Sequence, residues 1–253
     1  MSYVESLFSL KGKTALVTGT SGGIGQEIAV AYAKAGADVL LLNRGNMEET
    51  ASLIEREGGT AEKITFDLKE TGDIQNLTSR LLEDHEIDIL VNNAGIIRRQ
   101  PAKEYTEENW QDVLDVNLSA VFFLTRHLAG PMLERKQGKI INIASLLSFQ
   151  GGIFVPSYTA SKHAVSGLTK ALANEWACDN VQVNAIAPGY IATKNTKPLR
   201  ENPERSEAIL SRIPAGRWGE TSDLVGAALF LASPASDYVS GHTLVVDGGW
   251  MSR

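Results

Sequence analysis

Short apolar runs alternate with helical stretches along the whole chain, and this alternation limits the fold more than any other feature of the sequence. Runs such as DILVNN and KIINIAS are largely apolar at consecutive positions, which is typical of strands buried on both faces. Strands separated by helices predict a parallel, doubly wound α/β sheet of about seven strands with helices on both sides. The strands are predicted at 14–18, 38–43, 61–66, 88–92, 138–144, 181–187 and 243–246, and the helices at 23–35, 46–57, 70–84, 107–135, 157–178 and 221–232.

A glycine-rich turn, TGTSGGIG (18–25), joins the first predicted strand to the first predicted helix. Glycines let a backbone turn tightly and approach a pyrophosphate closely, and the helix N-terminus offers free N–H groups. The next strand, DVLLLN, completes a βαβ unit, so we predict a single Rossmann-type domain over residues 1–253 that binds a dinucleotide. The alternative is a glycine-rich turn without a ligand. The predicted phosphate contacts are Gly19, Ser21, Gly23, Ile24 and Gly25.

Tyr158 and Lys162 lie four residues apart in the stretch YTASK, beyond the apolar run that ends at Ser145. Residues at this spacing share one helix face. A tyrosine has an ordinary pKa of about 10, and a neighbouring cation lowers this pKa because it stabilises the phenolate. The two residues are therefore a candidate acid–base pair. The alternative is an ordinary amphipathic helix with an exposed lysine and a half-buried tyrosine.

Composition and charge exclude several classes of function. The net charge is −6, whereas nucleic-acid-binding proteins usually carry basic patches, so we expect no nucleic-acid partner. No apolar run approaches the roughly 20 residues that span a bilayer, and the N-terminal stretch has no secretory-signal pattern. Cys178 is the only cysteine and the four histidines are scattered. We therefore predict a cytoplasmic protein without an intrachain disulfide, a membrane span or a metal site.

The stretch 190–220 breaks the regular alternation. It is polar, contains three prolines and follows the sixth predicted strand. In open α/β sheets, ligands bind beyond the carboxyl ends of the strands, so this insertion is predicted to be a substrate lid. The alternative is a solvated connection between elements.

With these features in place, the chain resembles the short-chain dehydrogenase/reductase family over essentially its whole length. The matching motifs are TGTSGGIG (18–25), NNAG (92–95), Asn117 in DVNLSAVF, Ser145, YTASK (158–162) and APGYIAT (187–193). The resemblance implies an oxidoreductase that transfers a hydride between a nicotinamide cofactor and a CH–OH group.

The resemblance also implies a role for each catalytic residue. Tyr158 is expected to be the general acid and base, and Ser145 is expected to hold the substrate oxygen against it. Lys162 is expected to contact the nicotinamide ribose and to lower the pKa of Tyr158, while Asn117 supports a water-linked proton path to Lys162.

Further cofactor contacts follow from the same resemblance. Asp67 and Leu68 are assigned to the adenine, Asn93, Ala94 and Gly95 to the ribose, and Pro188, Gly189, Ile191 and Thr193 to the nicotinamide.

The end of the second predicted strand bears on the choice of cofactor. NAD enzymes usually place an acidic residue there, but this chain has Asn43 followed by Arg44, and an arginine accommodates a 2′-phosphate. The choice between NAD and NADP stays open, and we predict that both bind.

Within the family, the segments NNAGIIRR and SFQGG resemble those of sugar-acid dehydrogenases that act on uronate-derived substrates. Such a substrate carries a carboxylate, which an arginine binds in bidentate fashion. Arg98 is favoured over Arg99 as its partner, and Gln150 is a candidate for the sugar hydroxyls. Other sugar-acid dehydrogenases, a β-ketoacyl carrier protein reductase and a non-catalytic nucleotide-binding protein remain as alternatives. The resemblance further implies a homotetramer.

Overall fold

The computed structural model describes residues 2–253, and all seven predicted strands belong to one parallel sheet of order β3-β2-β1-β4-β5-β6-β7. No strand boundary differs from its predicted position by more than one residue. The strands are β1 (Thr14–Thr18), β2 (Asp38–Asn43), β3 (Ala61–Thr65), β4 (Ile89–Asn92), β5 (Gly138–Ile143), β6 (Val181–Pro188) and β7 (Thr243–Val246).

Ten α-helices accompany the sheet within the described residues, and α1, α8 and α9 were not predicted. These three are short, and α1 buries no side chain, which removes the periodic signal that sequence analysis uses. The helices are α1 (Tyr3–Phe8), α2 (Gly23–Lys34), α3 (Glu48–Arg56), α4 (Ile74–Asp84), α5 (Glu107–Leu114), α6 (Ala120–Glu134), α7 (Pro156–Trp176), α8 (Lys197–Arg200), α9 (Pro203–Leu210) and α10 (Val225–Ala232).

The sheet separates two apolar layers. Successive residues of a strand point to opposite faces, so Val17 packs with α2, α3 and α10 while the adjacent Leu16 packs with α4, α6 and α7. Both side chains are fully buried. This two-sided burial explains why the strands are apolar at consecutive positions.

A π-helical turn at Asp115–Ser119 interrupts the helix that was predicted to run over 107–135. The N–H of Ala120 donates to the carbonyl of Asp115, five residues earlier. The turn holds Asn117 fully buried, where its Nδ2 donates to the Ile96 carbonyl over 2.9 Å and its Oδ1 accepts from the Ile96 N–H over 2.8 Å. Such turns are frequent at functional sites, and this one joins the helix to the loop that follows β4.

The strand order reverses between β1 and β4, which are neighbours in the middle of the sheet. In doubly wound sheets a crevice forms outside the carboxyl ends of the strands at this point. The glycine-rich turn leaves β1 here, and the NNAG motif leaves β4 beside it. Among the described residues, no helix is both long and apolar enough to cross a membrane.

Candidate active site

The glycine-rich turn packs closely against the end of β4, and Gly19 and Gly25 are the two positions of the turn where a side chain does not fit. Gly19 has φ of 73°, and a Cβ there would lie 2.8 Å from Asn93 Nδ2. A Cβ on Gly25 would lie 2.3 Å from the Gly19 carbonyl oxygen. Asn93 Nδ2 donates to the Thr18 carbonyl over 2.8 Å and thereby fixes the turn. The backbone of the turn and the N-terminus of α2 are left facing the crevice, as a phosphate group requires.

The crevice is a cleft with a volume of about 400 Å³ that runs from β2 to the stretch after β6. Its walls combine backbone of the glycine-rich turn with polar side chains, so the residues present fit a dinucleotide. Of the predicted cofactor residues, those that line it are Gly19, Ser21, Gly23, Ile24, Asn43, Arg44, Asp67, Leu68, Asn93, Ala94, Gly95, Tyr158, Lys162, Pro188, Gly189, Ile191 and Thr193. Gly25 instead packs behind the turn, where it supports Gly19.

Ser145, Tyr158 and Lys162 meet in the middle of the cleft. Ser145 follows β5, whereas the other two residues lie in the first turns of α7, which begins at Pro156. Lys162 Nζ donates to the Ile143 carbonyl over 2.5 Å and lies 5.6 Å from the centre of the Tyr158 ring. The lysine is thus held against the strand end with the tyrosine beside it.

Burial is the main influence on the pKa values of Tyr158 and Lys162. Burial raises the pKa of the Tyr158 hydroxyl, while a hydrogen bond with Ser145 and the charge of Arg99 lower it in part. Burial also lowers the pKa of Lys162 to about 8. The net shift of Tyr158 is therefore opposite to the predicted one, because the loss of hydration outweighs the neighbouring groups. A protonated Tyr158 is the form that donates a proton.

Arg44 and Asp67 face each other at the β2 end of the cleft. Their side chains form an ion pair of 3.6 Å, and the other carboxylate oxygen of Asp67 accepts from the Lys69 N–H over 3.0 Å. Arg44 keeps more than half of its side chain exposed. The cation at this end of the cleft is thus accessible to a ligand phosphate.

Arg98 and Arg99 have different partners. The Arg98 guanidinium is paired with Asp112 at 3.2 Å, whereas Arg99 is exposed and donates over 3.1 Å to the carbonyl of Asn195, a residue that lines the cleft. Because Arg98 is already paired with a carboxylate, the structure favours Arg99 as the partner of a substrate carboxylate. The choice between the two arginines stays a prediction.

Gln150, the candidate for the sugar hydroxyls, does not line the cleft. Its Nε2 contacts the sulfur of Met251 at 3.3 Å, near the C-terminus. Within residues 2–253 the lining of the cleft includes none of Arg98, Arg99 and Gln150. The sequence distance from Ser145 carried no information on the direction of the loop that holds Gln150.

Two groups of residues near the site escaped prediction. Lys194, Asn195 and Thr196 line the cleft just beyond the predicted nicotinamide contacts. Asp112, on α5, bridges two loops beside the cleft. The first group was detectable as part of the insertion after β6, but Asp112 lay in a helical stretch without a distinguishing motif.

The comparisons with known proteins agree with this geometry. Residues 13–204 match the family model described as short chain dehydrogenase. The chain belongs to the short-chain dehydrogenase family and is thus an NAD(P)-dependent oxidoreductase.

Within that family the similarity extends over whole chains. The chain is 59% identical to a 2-dehydro-3-deoxy-D-gluconate 5-dehydrogenase from Bacillus subtilis, and the match covers 100% of both chains. A crystal structure from Agrobacterium tumefaciens, described as a 2-deoxy-D-gluconate 3-dehydrogenase with bound NADP, is 54% identical with a TM-score of 0.93 and covers 97% of this chain and 99% of its own. A Beutenbergia cavernae structure, described as an NAD(P)-dependent gluconate 5-dehydrogenase with NADP at low occupancy, is 51% identical with a TM-score of 0.95 and the same coverage.

Proposed function

We propose that this protein is a 2-dehydro-3-deoxy-D-gluconate 5-dehydrogenase, also known as a 2-deoxy-D-gluconate 3-dehydrogenase, of uronate and pectin breakdown. The single observation that supports it most is the position of Arg99, an exposed cation whose guanidinium donates over 3.1 Å to the carbonyl of Asn195 in the wall of the cleft. In a protein of net charge −6, a cation beside the cleft favours an acidic substrate. The full-length similarity to sugar-acid dehydrogenases points the same way.

The proton steps belong to the chain's own residues. Ser145 orients the substrate oxygen toward Tyr158, beside which it lines the cleft. In reduction the protonated Tyr158 donates its hydroxyl proton to that oxygen, and in oxidation the phenolate accepts the proton back. Burial raises the pKa of Tyr158, and its protonated form is the one that reduction requires. When bound, the nicotinamide cofactor supplies the hydride donor or acceptor.

Lys162 and Asn117 are the two residues proposed to support proton transfer to and from Tyr158. Lys162 is buried and anchored on the Ile143 carbonyl, so its ammonium has a fixed position beside the tyrosine. Asn117 is bound to both backbone groups of Ile96, and its Nδ2 also reaches Ser161 Oγ at 3.4 Å on α7. These contacts support a positioning role for Asn117 between the β4 loop and α7.

The cofactor is NAD or NADP. The glycine-rich turn would hold its pyrophosphate, and Asn43, Arg44 and Asp67, which line the far end of the cleft, would hold its adenosine. Arg44 supplies a partner for a 2′-phosphate, whereas Asn43 offers an amide to an unmodified ribose. The stretch 190–220 acts as a lid, since Thr193 approaches the glycine-rich turn from the opposite wall.

The protein is proposed to be a cytoplasmic homotetramer. Strand β7 is the edge of the sheet, and its four residues are only partly buried. An edge strand has unpaired backbone groups that can contact a second copy of the chain. Such a contact between identical surfaces is typical of closed, symmetric homo-oligomers.

A substrate panel tests this proposal. Initial rates are measured from nicotinamide absorbance with 2-dehydro-3-deoxy-D-gluconate, 2-deoxy-D-gluconate and D-gluconate as alcohols, each with NAD and with NADP. The ketone direction is measured with a β-ketoacyl thioester. We expect the highest kcat/KM with a deoxy sugar acid, and kcat/KM values for the two cofactors within about tenfold, or 1.4 kcal/mol.

Two outcomes would contradict the proposal in different ways. A preference for D-gluconate or for the thioester would leave the reaction class intact but move the protein to another branch of the family. A cofactor preference above about tenfold would refute dual cofactor use.

A further inference from the structure

The loop that follows β4 is held at every second residue. Both backbone groups of Ile96 are bound by Asn117. The Arg98 side chain is paired with Asp112, and the N–H of Gln100 donates to the Phe154 carbonyl over 2.9 Å. Arg99 lies between these anchored residues, and its guanidinium donates over 3.1 Å to the carbonyl of Asn195, a residue that lines the cleft.

Arg98 is anchored on two sides. Its guanidinium meets Asp112, whereas its carbonyl accepts from the Tyr105 hydroxyl over 3.3 Å. The same hydroxyl is 2.6 Å from Ser157 Oγ, the residue directly before Tyr158. The position of Arg99 beside Asn195 therefore depends on its anchored neighbour, because Arg99 itself makes no contact with α5 among the hydrogen bonds and ion pairs of the described residues.

Asp112 uses its two carboxylate oxygens for two different loops. Oδ2 pairs with Arg98 at 3.2 Å, and Oδ1 pairs with Lys69 at 2.5 Å. Lys69 follows Asp67 and Leu68, which line the adenosine end of the cleft. The carboxylate itself is mostly buried, with 14% of its side chain exposed, so water competes weakly for these contacts.

We propose that Asp112 is a positioning residue that directs Arg99 to the substrate carboxylate through Arg98 and ties this substrate loop to the adenosine loop through Lys69. The proposal rests on the proposed function, in which Arg99 receives a sugar-acid carboxylate. The contacts with Lys69 and Arg98 lower the pKa of Asp112, so its carboxylate is ionised throughout the neutral range.

The test is a double-mutant cycle in the full-length enzyme with NADP and 2-dehydro-3-deoxy-D-gluconate. Asp112→Asn keeps the size of the side chain and removes its charge. We expect it to raise KM for the sugar acid about tenfold while kcat changes less than about threefold, because ground-state binding is weakened more than chemistry. Arg99→Met should raise the same KM at least as much.

The decisive variant combines the two substitutions. If Asp112 acts through Arg99, adding Asp112→Asn to Arg99→Met changes KM by less than about twofold. An equal rise of KM in both backgrounds would overturn the proposal, as would an unchanged KM in the single variant. Lys69→Met should raise KM for the sugar acid in the same Arg99-dependent way, and no rise would refute the tie to the adenosine loop.

A matched control is Glu108→Gln, which removes a charge from an exposed residue one turn earlier on α5 and should leave KM unchanged. Crystal structures of the wild type and of Asp112→Asn give a readout that needs no turnover. The Arg99 guanidinium should leave the Asn195 carbonyl in the variant, and an unmoved guanidinium would refute the positioning role. If the wild type turns over no sugar acid, the proposed function fails, while the crystal structures still decide the role of Asp112.

Discussion

Close contacts between backbone segments give single glycines their importance at the cofactor cleft. Gly25 lies within α2, yet a Cβ there would approach the Gly19 carbonyl oxygen to 2.3 Å and Asn93 Nδ2 to 2.4 Å. Neither atom is the free end of a flexible side chain, because Asn93 is hydrogen-bonded to Thr18. A methyl group at this position therefore has to displace the turn that faces the pyrophosphate.

We expect Gly25→Ala to weaken NADP binding by about tenfold or more, since a shift of the turn separates its N–H groups from the phosphate. The measurement is the Kd from cofactor fluorescence titration. Gly226→Ala is the control, because a Cβ on Gly226, in α10, would meet no neighbouring group within 4 Å. Equal Kd values for both variants and the wild type would show that the turn tolerates the extra methyl.

At the scale of single residues, sequence reasoning succeeded where a residue belongs to a motif with a fixed local geometry. Ser145, Tyr158 and Lys162 all reached the cleft. Sequence reasoning failed where the direction of a side chain depends on a partner that is distant in the sequence. Arg98 and Arg99 are adjacent and identical in type, and the sequence does not show that Arg98 pairs with Asp112 on α5 while Arg99 contacts Asn195.

At the scale of elements, a buried hydroxyl joins α2 to α10 on one face of the sheet. Tyr32 on α2 is fully buried, and its hydroxyl donates to the Ala228 carbonyl on α10 over 2.9 Å. Burial strongly raises the pKa of this phenol, so it remains a neutral donor. The bond spans 196 residues of sequence and holds α10 beside the helix that follows the glycine-rich turn.

Tyr32→Phe should lower the free energy of unfolding by about 1 kcal/mol, the usual net contribution of one hydrogen bond. Thermal unfolding should show this as a fall in Tm of about 2–4 °C for a chain of this length. Tyr238→Phe serves as control, because Tyr238 is fully exposed and its hydroxyl should contribute nothing. An unchanged Tm for Tyr32→Phe would mean that the contact between the two helices is purely apolar.

The interrupted helix at Asp115–Ser119 shows what element prediction leaves out. The apolar pattern of 107–135 is that of one continuous helix. A π-helical turn adds one residue without changing composition. The turn coincides with the pair of hydrogen bonds between Asn117 and Ile96, which are tertiary contacts and leave no local pattern.

At the scale of the whole molecule, the strand order brings distant motifs to one crevice. The glycine-rich turn, the NNAG motif, Ser145 and the YTASK helix follow β1, β4 and β5, which are neighbours in the sheet. The alternation of strands and helices predicted the parallel sheet, whose strands expose their carboxyl ends on one edge, but the strand order came only with the structure. The lid over 190–220 stays a prediction, and the partner of the substrate carboxylate depends on packing that no motif encodes.

The measurement that tests the central claim most directly is the turnover of 2-dehydro-3-deoxy-D-gluconate with NADP by the wild type and by Tyr158→Phe, followed by nicotinamide absorbance. The substitution removes only the hydroxyl that transfers the proton. We predict that kcat falls by about 10²–10⁴-fold, the usual contribution of a general acid or base, while the Kd for NADP stays the same. Near-full turnover by Tyr158→Phe would contradict the assignment of Tyr158 as the proton donor and acceptor, and with it the proposed mechanism.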